Sequence, residues 1–493
     1  MGDPLSSRQA RVALTWSFAD RYASLIVNMA SSMVIARLLT PTEIGLFSVA
    51  VASLILATTV RDLGAGNYLI QERELSVERV RATWTVQLGV GLLLAIVAVA
   101  ISYPAATFYG NDRLTSLIQI IALNYLFNPF GSLTYSWLMR EMKYESVAKM
   151  RLASAFAGAA VSITLAWHGY GALGLAWGNL AAIVTNGLVS IRYRPDWFPI
   201  RPGFSEIARV LSFGSKMTSS SIMSSIGNAG PDFIIGRVLG LAAAGYYSRA
   251  NGLVQLVYRL FMDALYPVAL SMFSQQARQS KEFSFQFTKA LQYVTAVCWT
   301  LFLAIALLAY PLIHLLFGTQ WDASVSTVRW LAMAAAFGVH IPLCTAALVA
   351  TGNVKEMMPL TAVSAILVLA AVLIGSRFGM DYLGPALALA SMIYGLHWLI
   401  VLRQSIGFAW RELAIKLLPG LAIAALSNLG TVIVVVYFTL TPAQIFWPVF
   451  SSACLGALGF IVTTSCFRHP ISEELDILWR HAARIMRQRR DGS

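Results

Sequence analysis

"ARLLTPTEIGLFSVA" (residues 36–50) and "GRVLGLAAAGYYSRA" (residues 236–250) are one pattern written twice. Arg37 falls on Arg237, Leu39 on Leu239, Gly45 on Gly245, Ser48 on Ser248 and Ala50 on Ala250. In each copy an arginine closes a long apolar run, a short break follows, and a second apolar run begins. Each copy therefore reads as a hairpin between two helices. How the two hairpins are related depends on what lies between them and on the solvent the helices meet.

That solvent is lipid. The chain has 493 residues, 57% hydrophobic and only 12% charged, and its mean hydropathy is +0.67. A soluble domain carries about 25% charged residues, so this chain cannot cover a water-facing surface. Largely apolar runs of the length needed for the roughly 30 Å hydrocarbon core recur throughout. The expectation is an all-α polytopic membrane protein. The first run, near 12–39, is too long and too polar for the core of a cleavable signal, and no small-residue cleavage site follows it. Cys298, Cys344, Cys454 and Cys466 lie in apolar runs without CxxC spacing. They read as small buried hydrophobes, with no disulfide or metal role.

Hydropathy gives about fourteen spans. Six lie near 12–39, 42–62, 83–103, 114–138, 151–168 and 171–192, and six more near 209–239, 242–269, 289–317, 324–350, 357–376 and 383–403. A last pair lies near 412–438 and 444–466. The expected organisation is an N-lobe (1–200), a C-lobe (201–405), a terminal helix pair (406–470) and a basic amphipathic tail (471–493). Alternate loops are basic, with Arg73, Arg79 and Arg81, then Arg140, Lys143 and Lys149, then Arg194, Arg201 and Arg209, then Arg278, Lys281 and Lys289. The intervening loops, such as "TPTE", "HGYG" and "FGTQWD", are short and nearly free of cations. The positive-inside rule then places both termini in the cytoplasm. The net charge of +13 is mostly this bias, and its dispersal over many loops argues against nucleic-acid binding. Segment 66–82, "GNYLIQERELSVERVRA", and the tail 471–490 read as interfacial amphipathic helices.

Six spans separate the two hairpins, and six is even, so both copies enter from the same side. That is a parallel repeat, related by an axis along the membrane normal, as in transporters that rock two halves around a central site. Upstream, Ser17, Phe18, Arg21 and Ser24 match Ser212, Phe213, Lys216 and Ser219 at a spacing of 195 rather than 200. The extra residues fall around "GNAGPD", where Gly227, Gly230 and Pro231 predict a bend or a broken helix.

Polar side chains run in stripes at spacings of three and four, which share one helix face. The first span carries Ser17, Arg21, Ser24, Asn28 and Ser31, beside Asp20; the seventh carries Lys216, Ser220, Ser224, Asn228 and Asp232. The eighth carries Ser248, Asn251, Gln255, Arg259 and Asp263, and the fourth carries Asn124, Asn128, Ser132 and Tyr135. An ion facing lipid costs roughly 3 kcal/mol or more at mid-bilayer, so the stripes are expected to face the protein interior or a wet cavity. Each has a plainer reading. Serines and asparagines glue helices together, Asp20, Arg21 and Lys216 lie close enough to span ends to snorkel, and Arg259 with Asp263 are spaced as a simple ion pair. Arg37 and Arg237 sit at span ends, as interface or terminal residues. His314, His340 and His397 lack acidic or histidine neighbours at ligand spacing.

With the repeat in place, "ARLLTPTEIGLFSVA" and "IIGRVLGLAAAGYYSRA" together resemble the paired signatures of polysaccharide (oligosaccharide-lipid) flippases, in the multidrug/oligosaccharidyl-lipid/polysaccharide flippase superfamily. The resemblance covers most of the chain, and "RLLTP" leans toward exopolysaccharide types such as succinoglycan. It implies a bacterial inner-membrane transporter with two six-helix lobes in a V around a cationic cavity. By alternating access it would carry undecaprenyl-diphosphate-linked repeat units to the periplasmic leaflet. Related lipid II flippases carry an Arg-Asp pair where this chain has Ser31-Ser32, so that pair is not transferred. A lipid-linked diphosphate carries about two negative charges and needs cations in place of water. Arg21, Lys216, Arg249 and Arg259 are the candidates. Asp20, Asp232 and Asp263 could balance them or bind a coupling ion, H+ or Na+, or the membrane potential could drive transport. No cofactor or metal is implied; membrane lipids and a polysaccharide polymerase or export machinery are the implied partners.

Rival readings are a multidrug/cation antiporter of the same superfamily, expected to have twelve spans and an acidic cavity, and a membrane polysaccharide polymerase, expected to have a large catalytic loop. The third is an assembly scaffold. No Walker A loop, HExxH or nucleophile elbow appears, so an enzyme is not expected.

Overall fold

The computed structural model describes residues 7–61, 65–72, 74–198, 201–279, 283–437, 446–467 and 469–472; within these, the side chains of residues 7–21, 56, 215–221, 263–264 and 279 are outside the description. Among the described residues the secondary structure is helical throughout. In chain order the helices are α1 (Ser7–Leu38), α2 (Pro41–Ser53), α3 (Ile55–Arg61), α4 (Ala65–Gln71), α5 (Val77–Tyr109), α6 (Arg113–Arg140), α7 (Tyr144–Trp167), α8 (Ala172–Tyr193), α9 (Ile207–Val238) and α10 (Leu241–Gln279). They continue with α11 (Phe283–Leu307), α12 (Ala309–Leu316), α13 (Ser324–Gly338), α14 (Ile341–Ala350), α15 (Met357–Phe378), α16 (Met380–Ile406), α17 (Trp410–Ser427), α18 (Leu429–Tyr437) and α19 (Phe446–Cys466).

Ten described helical segments are long and apolar enough to cross a bilayer, or eleven if the pair Pro41–Ser53 and Ala57–Gln71, bent by 49°, is one span. That is fewer than the fourteen read from hydropathy. Helix α6, at 28 residues, is long enough, but Gln119, Asn124 and Asn128 dilute its apolar content. Both α1 and α9 include residues whose side chains are not described. The chain is a multi-pass membrane protein.

Contacts divide the chain into two units, Met1–Ser248 and Arg249–Ser493. This division by contact differs from the division by repeat near residue 200, because α9 packs on α2, α3, α4 and α5 inside the first unit. In that unit α5 packs on α6, α6 on α8, α8 on α7 and α7 on α1. Helix α5 shows why such helices suit lipid. Val80, Trp84, Gln87, Gly91, Leu94, Ala95, Ala98, Ser102 and Ala105 recur every three or four residues and are buried. The opposite face exposes Leu92, Leu93, Ile96 and Tyr103. Apolar character all round leaves no face for water.

The second unit pairs α15 and α13 with α16, and α11 with α13 and α17. Phe287 stacks on Phe408 and packs near Phe273, all three fully buried. Buried polar groups find carbonyls: Trp299 Nε1 donates to Ala336 O at 2.9 Å, His340 Nε2 to Gly395 O at 2.8 Å, and Asn428 Nδ2 to Thr300 O at 3.1 Å. Such bonds are obligatory where no water is available.

Three local expectations are corrected. Segment 66–82 is not one interfacial helix: α4 ends at Gln71, and α5 starts afresh behind Ser76, whose Oγ accepts from Arg79 N at 3.3 Å. The serine hydroxyl outcompetes helix continuation there. Helix α9 is not broken at "GNAGPD" but runs from Ile207 to Val238 with Pro231 inside it. A missing N–H is tolerated when neighbouring helices hold the segment. Cys298 and Cys344 are buried as expected, but Cys454 and Cys466 are exposed on α19. Most of the tail 471–490 lies outside the described residues.

Candidate functional site

The repeated hairpins meet each other inside the first unit. The first begins with a firm helix start: Thr40 caps α2, its Oγ1 accepting from Glu43 N at 3.3 Å, and Pro41 occupies the first turn. The second turns through Gly240 at φ +91° before α10. Gly45 and Gly245 then cross at backbone contact. A Cβ on Gly45 would overlap Leu241 O and lie 2.8 Å from Gly245 N; one on Gly245 would overlap Pro41 O and lie 3.1 Å from Gly45 N. One turn further on, Ser48 Oγ donates to Ser248 Oγ at 2.8 Å. A shift of 200 exchanges the contacts, Gly45 on Leu241 answering Gly245 on Pro41 while Ser48 meets Ser248, so the crossing is two-fold symmetric about its own centre.

Polar and aromatic groups extend this contact along α9. Tyr109 OH, at the end of α5, donates to Phe233 O at 2.9 Å. Phe108 stacks on Phe233 with ring centroids 5.7 Å apart, and the Arg237 guanidinium lies 4.8 Å from the Phe108 centroid. Deeper in, Thr59 Oγ1 donates to Ser225 Oγ at 2.7 Å. Glu43 ties the first hairpin to its surroundings. Arg113 grips it through two bonds, Nη1–Oε1 at 2.5 Å and Nη2–Oε2 at 3.1 Å, and the N–H of Ala172 at the start of α8 donates to Oε2 at 2.5 Å. A carboxylate is well placed at a helix N-terminus, where N–H groups lack intrahelical partners.

A second polar cluster forms at the other end of these helices. Glu72, just past α4, faces Arg79 of α5 at 3.3 Å and Arg209 of α9 at 3.3 Å. Arg140 of α6 donates to Leu69 O at 2.8 Å and to Glu72 O, closing the C-terminal end of α4. The charge bias predicts one side of the membrane for these arginines; their convergence on Glu72 is not legible in it.

The predicted polar residues are dispersed by comparison. Asn124 is 4% exposed and its Oδ1, like Oδ1 of part-buried Asp232, is enclosed without a hydrogen-bond partner among the described residues. Asp232 and Arg237 both lie close enough to Tyr109 to bear on it electrostatically. Asn128, Asn251 and Gln255 are part-buried, whereas Asn28, Asn228 and Arg259 are exposed. Ser132 of the fourth stripe donates to Gln87 Oε1 on α5 at 3.1 Å, a helix-to-helix bond. Arg249 enters the second unit's aromatic core, 5.8 Å from the rings of both Phe317 and Trp321. The side chains of Asp20, Arg21, Lys216 and Asp263 lie outside the described residues. His314 does have an acidic partner: its Nε2 bonds Asp322, eight residues on, which the short-range search for neighbours missed. Among the described residues no cluster of three or more His, Cys, Asp or Glu could hold a metal.

Comparison with known proteins supplies the context. Residues 34–326 match the family model described as "Polysaccharide biosynthesis protein". The succinoglycan biosynthesis transport protein ExoT of Rhizobium meliloti (strain 1021) is 26% identical over 335 residues, 67% of this chain and 66% of that protein. The lipopolysaccharide biosynthesis protein WzxC of Escherichia coli (strain K12) is 20% identical over 326 residues, 64% of this chain and 65% of that protein. The match thus spans just under two thirds of these relatives' length. Among solved structures, the lipid II flippase MurJ in an inward closed conformation superposes with a TM-score of 0.74 at 15% identity, covering 93% of this chain and 99% of that one. An inward-facing multidrug resistance MATE family transporter superposes at 0.62 and 14% identity, covering 80% of this chain and 96% of that one. At these identities the superpositions establish a shared fold.

Proposed function

Because the chain belongs to the polysaccharide biosynthesis protein family, we propose that it is a flippase for lipid-diphosphate-linked oligosaccharide repeat units. It moves them from the cytoplasmic to the periplasmic leaflet of a bacterial inner membrane, with both its termini cytoplasmic, for surface polysaccharide of the exopolysaccharide type. The observation that carries the reading is that the family match, 34–326, contains both copies of the hairpin and the crossing they make. That crossing is built from backbone contact and one hydroxyl pair. Such a contact has small residues at its centre and can part and re-form, which is what alternating access requires at one end of the pathway. The name of the relative ExoT, a succinoglycan biosynthesis transport protein, supports a polysaccharide precursor as the cargo. Cations and polar groups along the helices take the place of water around the diphosphate, while the lipid tail stays in the bilayer. The driving force is an ion gradient, H+ or Na+, or the membrane potential, and product passes to the polymerase and export machinery.

The test is reconstitution in liposomes with a defined lipid-diphosphate-linked oligosaccharide, scoring transfer between leaflets under imposed gradients. Transfer by the wild type, and its arrest when a Ser48→Cys/Ser248→Cys variant is oxidised and release on reduction, are the expected results. Absence of transfer, with altered drug resistance in cells expressing the protein, would replace this reading with the antiporter.

A further inference from the structure

Among the described residues, two arginines, Arg79 and Arg209, share the carboxylate of Glu72 at the end of α4, and the bonds of the cluster are of two kinds. Arg140 is committed to backbone carbonyls. Arg79 is anchored by Nη1 to Glu74 O at 2.6 Å. The ion pairs to Glu72 are longer: 3.3 Å from Arg79, and 3.3 Å and 3.4 Å from Arg209. Charge-assisted N–H···O bonds run to about 2.7–2.9 Å when made at full strength. The carboxylate is therefore shared between two guanidiniums through long hydrogen bonds, tight on neither. Arg209 keeps half its side chain exposed, 52%, while Glu72 is at 12%.

A third donor faces the same carboxylate. Tyr68 is 2% exposed, packed edge-on to Phe213 of α9 at 5.6 Å. Its hydroxyl is enclosed and turned toward the Glu72 carboxylate, with which it interacts without closing a well-formed hydrogen bond, and Arg209 and Arg79 are near enough to act on it. A buried hydroxyl left unbonded costs on the order of 1–3 kcal/mol. The Glu72 carboxylate has lone pairs enough for three donors, but at the distances found it does not close tightly on the two arginines and this phenol together. A phosphate group, with more oxygens and more charge, can.

We propose that Arg79, Arg209 and Tyr68 form a receiving site for a phosphate or diphosphate headgroup, and that Glu72 occupies it as an internal stand-in that the headgroup displaces. The site is on the side that the charge bias assigns to the cytoplasm, where a lipid-linked diphosphate enters. Because α4 and α9 both contribute, exchange of Glu72 for the headgroup changes what joins these two helices there. The assignment of the headgroup to transported substrate rests on the flippase reading; the same chemistry is offered by anionic phospholipid.

The test uses full-length protein in detergent, titrated with farnesyl diphosphate and, separately, with dioleoyl phosphatidylglycerol, and with farnesol as the uncharged control. Glu72→Gln removes the competitor and is expected to tighten farnesyl diphosphate binding about fivefold. Arg209→Gln, at an exposed position that folding tolerates, is expected to weaken it about tenfold, and Tyr68→Phe about threefold. Unchanged binding in Arg209→Gln, or weaker binding in Glu72→Gln, overturns the site, since a purely structural clamp gives that pattern. If phosphatidylglycerol displaces farnesyl diphosphate with the same variant pattern, the substrate assignment is overturned in favour of a structural lipid. Binding is read without transport, so loss of the site leaves the flippase reading standing. Failure of wild-type transfer in liposomes sinks that reading without touching the site.

Discussion

Gly45 and Gly245 tolerate no side chain, because each sits where the other hairpin's backbone carbonyl needs the space. Gly45→Ala forces these backbones apart at a cost of about 1–3 kcal/mol, the usual range for overpacking. The expected result is reduced Ser48–Ser248 proximity, read as slower oxidative cross-linking of the paired cysteine variants in the Gly45→Ala background. Arg113→Ala should act more gently. It removes both bonds to a Glu43 side chain that is 20% exposed, from an arginine that is 49% exposed, so solvent screening limits the loss to about 1 kcal/mol. A lowered melting temperature with Ser48–Ser248 cross-linking retained would confirm that Arg113 supports the first hairpin without forming the crossing. The symmetry of the hairpins was legible from Gly45, Ser48 and their counterparts. Their mutual contact was not, since a repeat shows that two segments are alike and says nothing of where they meet.

At the scale of elements, the helices were read well from apolar length, and less well where a local cap overrides periodicity. Ser76 restarts a helix that amphipathic spacing had carried straight through, and Pro231 leaves α9 uninterrupted because α2, α3 and α5 pack along it. Helix α5 gives the clearest prediction. Ile96 is 59% exposed on its outer face, and Ile96→Arg places a charge at the lipid at a cost of roughly 3 kcal/mol. Membrane-inserted protein should fall sharply in that variant, measured in isolated membranes. The same substitution at Asn124, on a face turned inward, should be less damaging to insertion than to transport. Equal loss of membrane-inserted protein from both positions would contradict the inward orientation of the α6 stripe.

For the whole molecule, the charge bias predicts that Asp322 and Asn111 face one compartment and Lys143 and Arg201 the other. Single cysteines at the first pair should react with a membrane-impermeant maleimide added outside spheroplasts of a strain carrying an otherwise cysteine-free protein. Cysteines at the second pair should react only after permeabilisation, and the reverse pattern would invert the orientation. The candidate cations were harder to read from sequence than the fold. Stripe spacing finds a helix face but cannot rank its members: Arg259 of the eighth-span stripe is exposed, and Arg249, a candidate cation that lies off the stripes, is set against Phe317 and Trp321. One further consequence follows from Glu43. Its counterpart two hundred residues on is Ala243, which has nothing with which to hold a guanidinium or a helix start. Duplication made two equal arms, and a single carboxylate then bolted one of them, through Arg113 and Ala172, to the frame formed by α6 and α8. The two hairpins, alike in sequence, are thus held in place by different side chains.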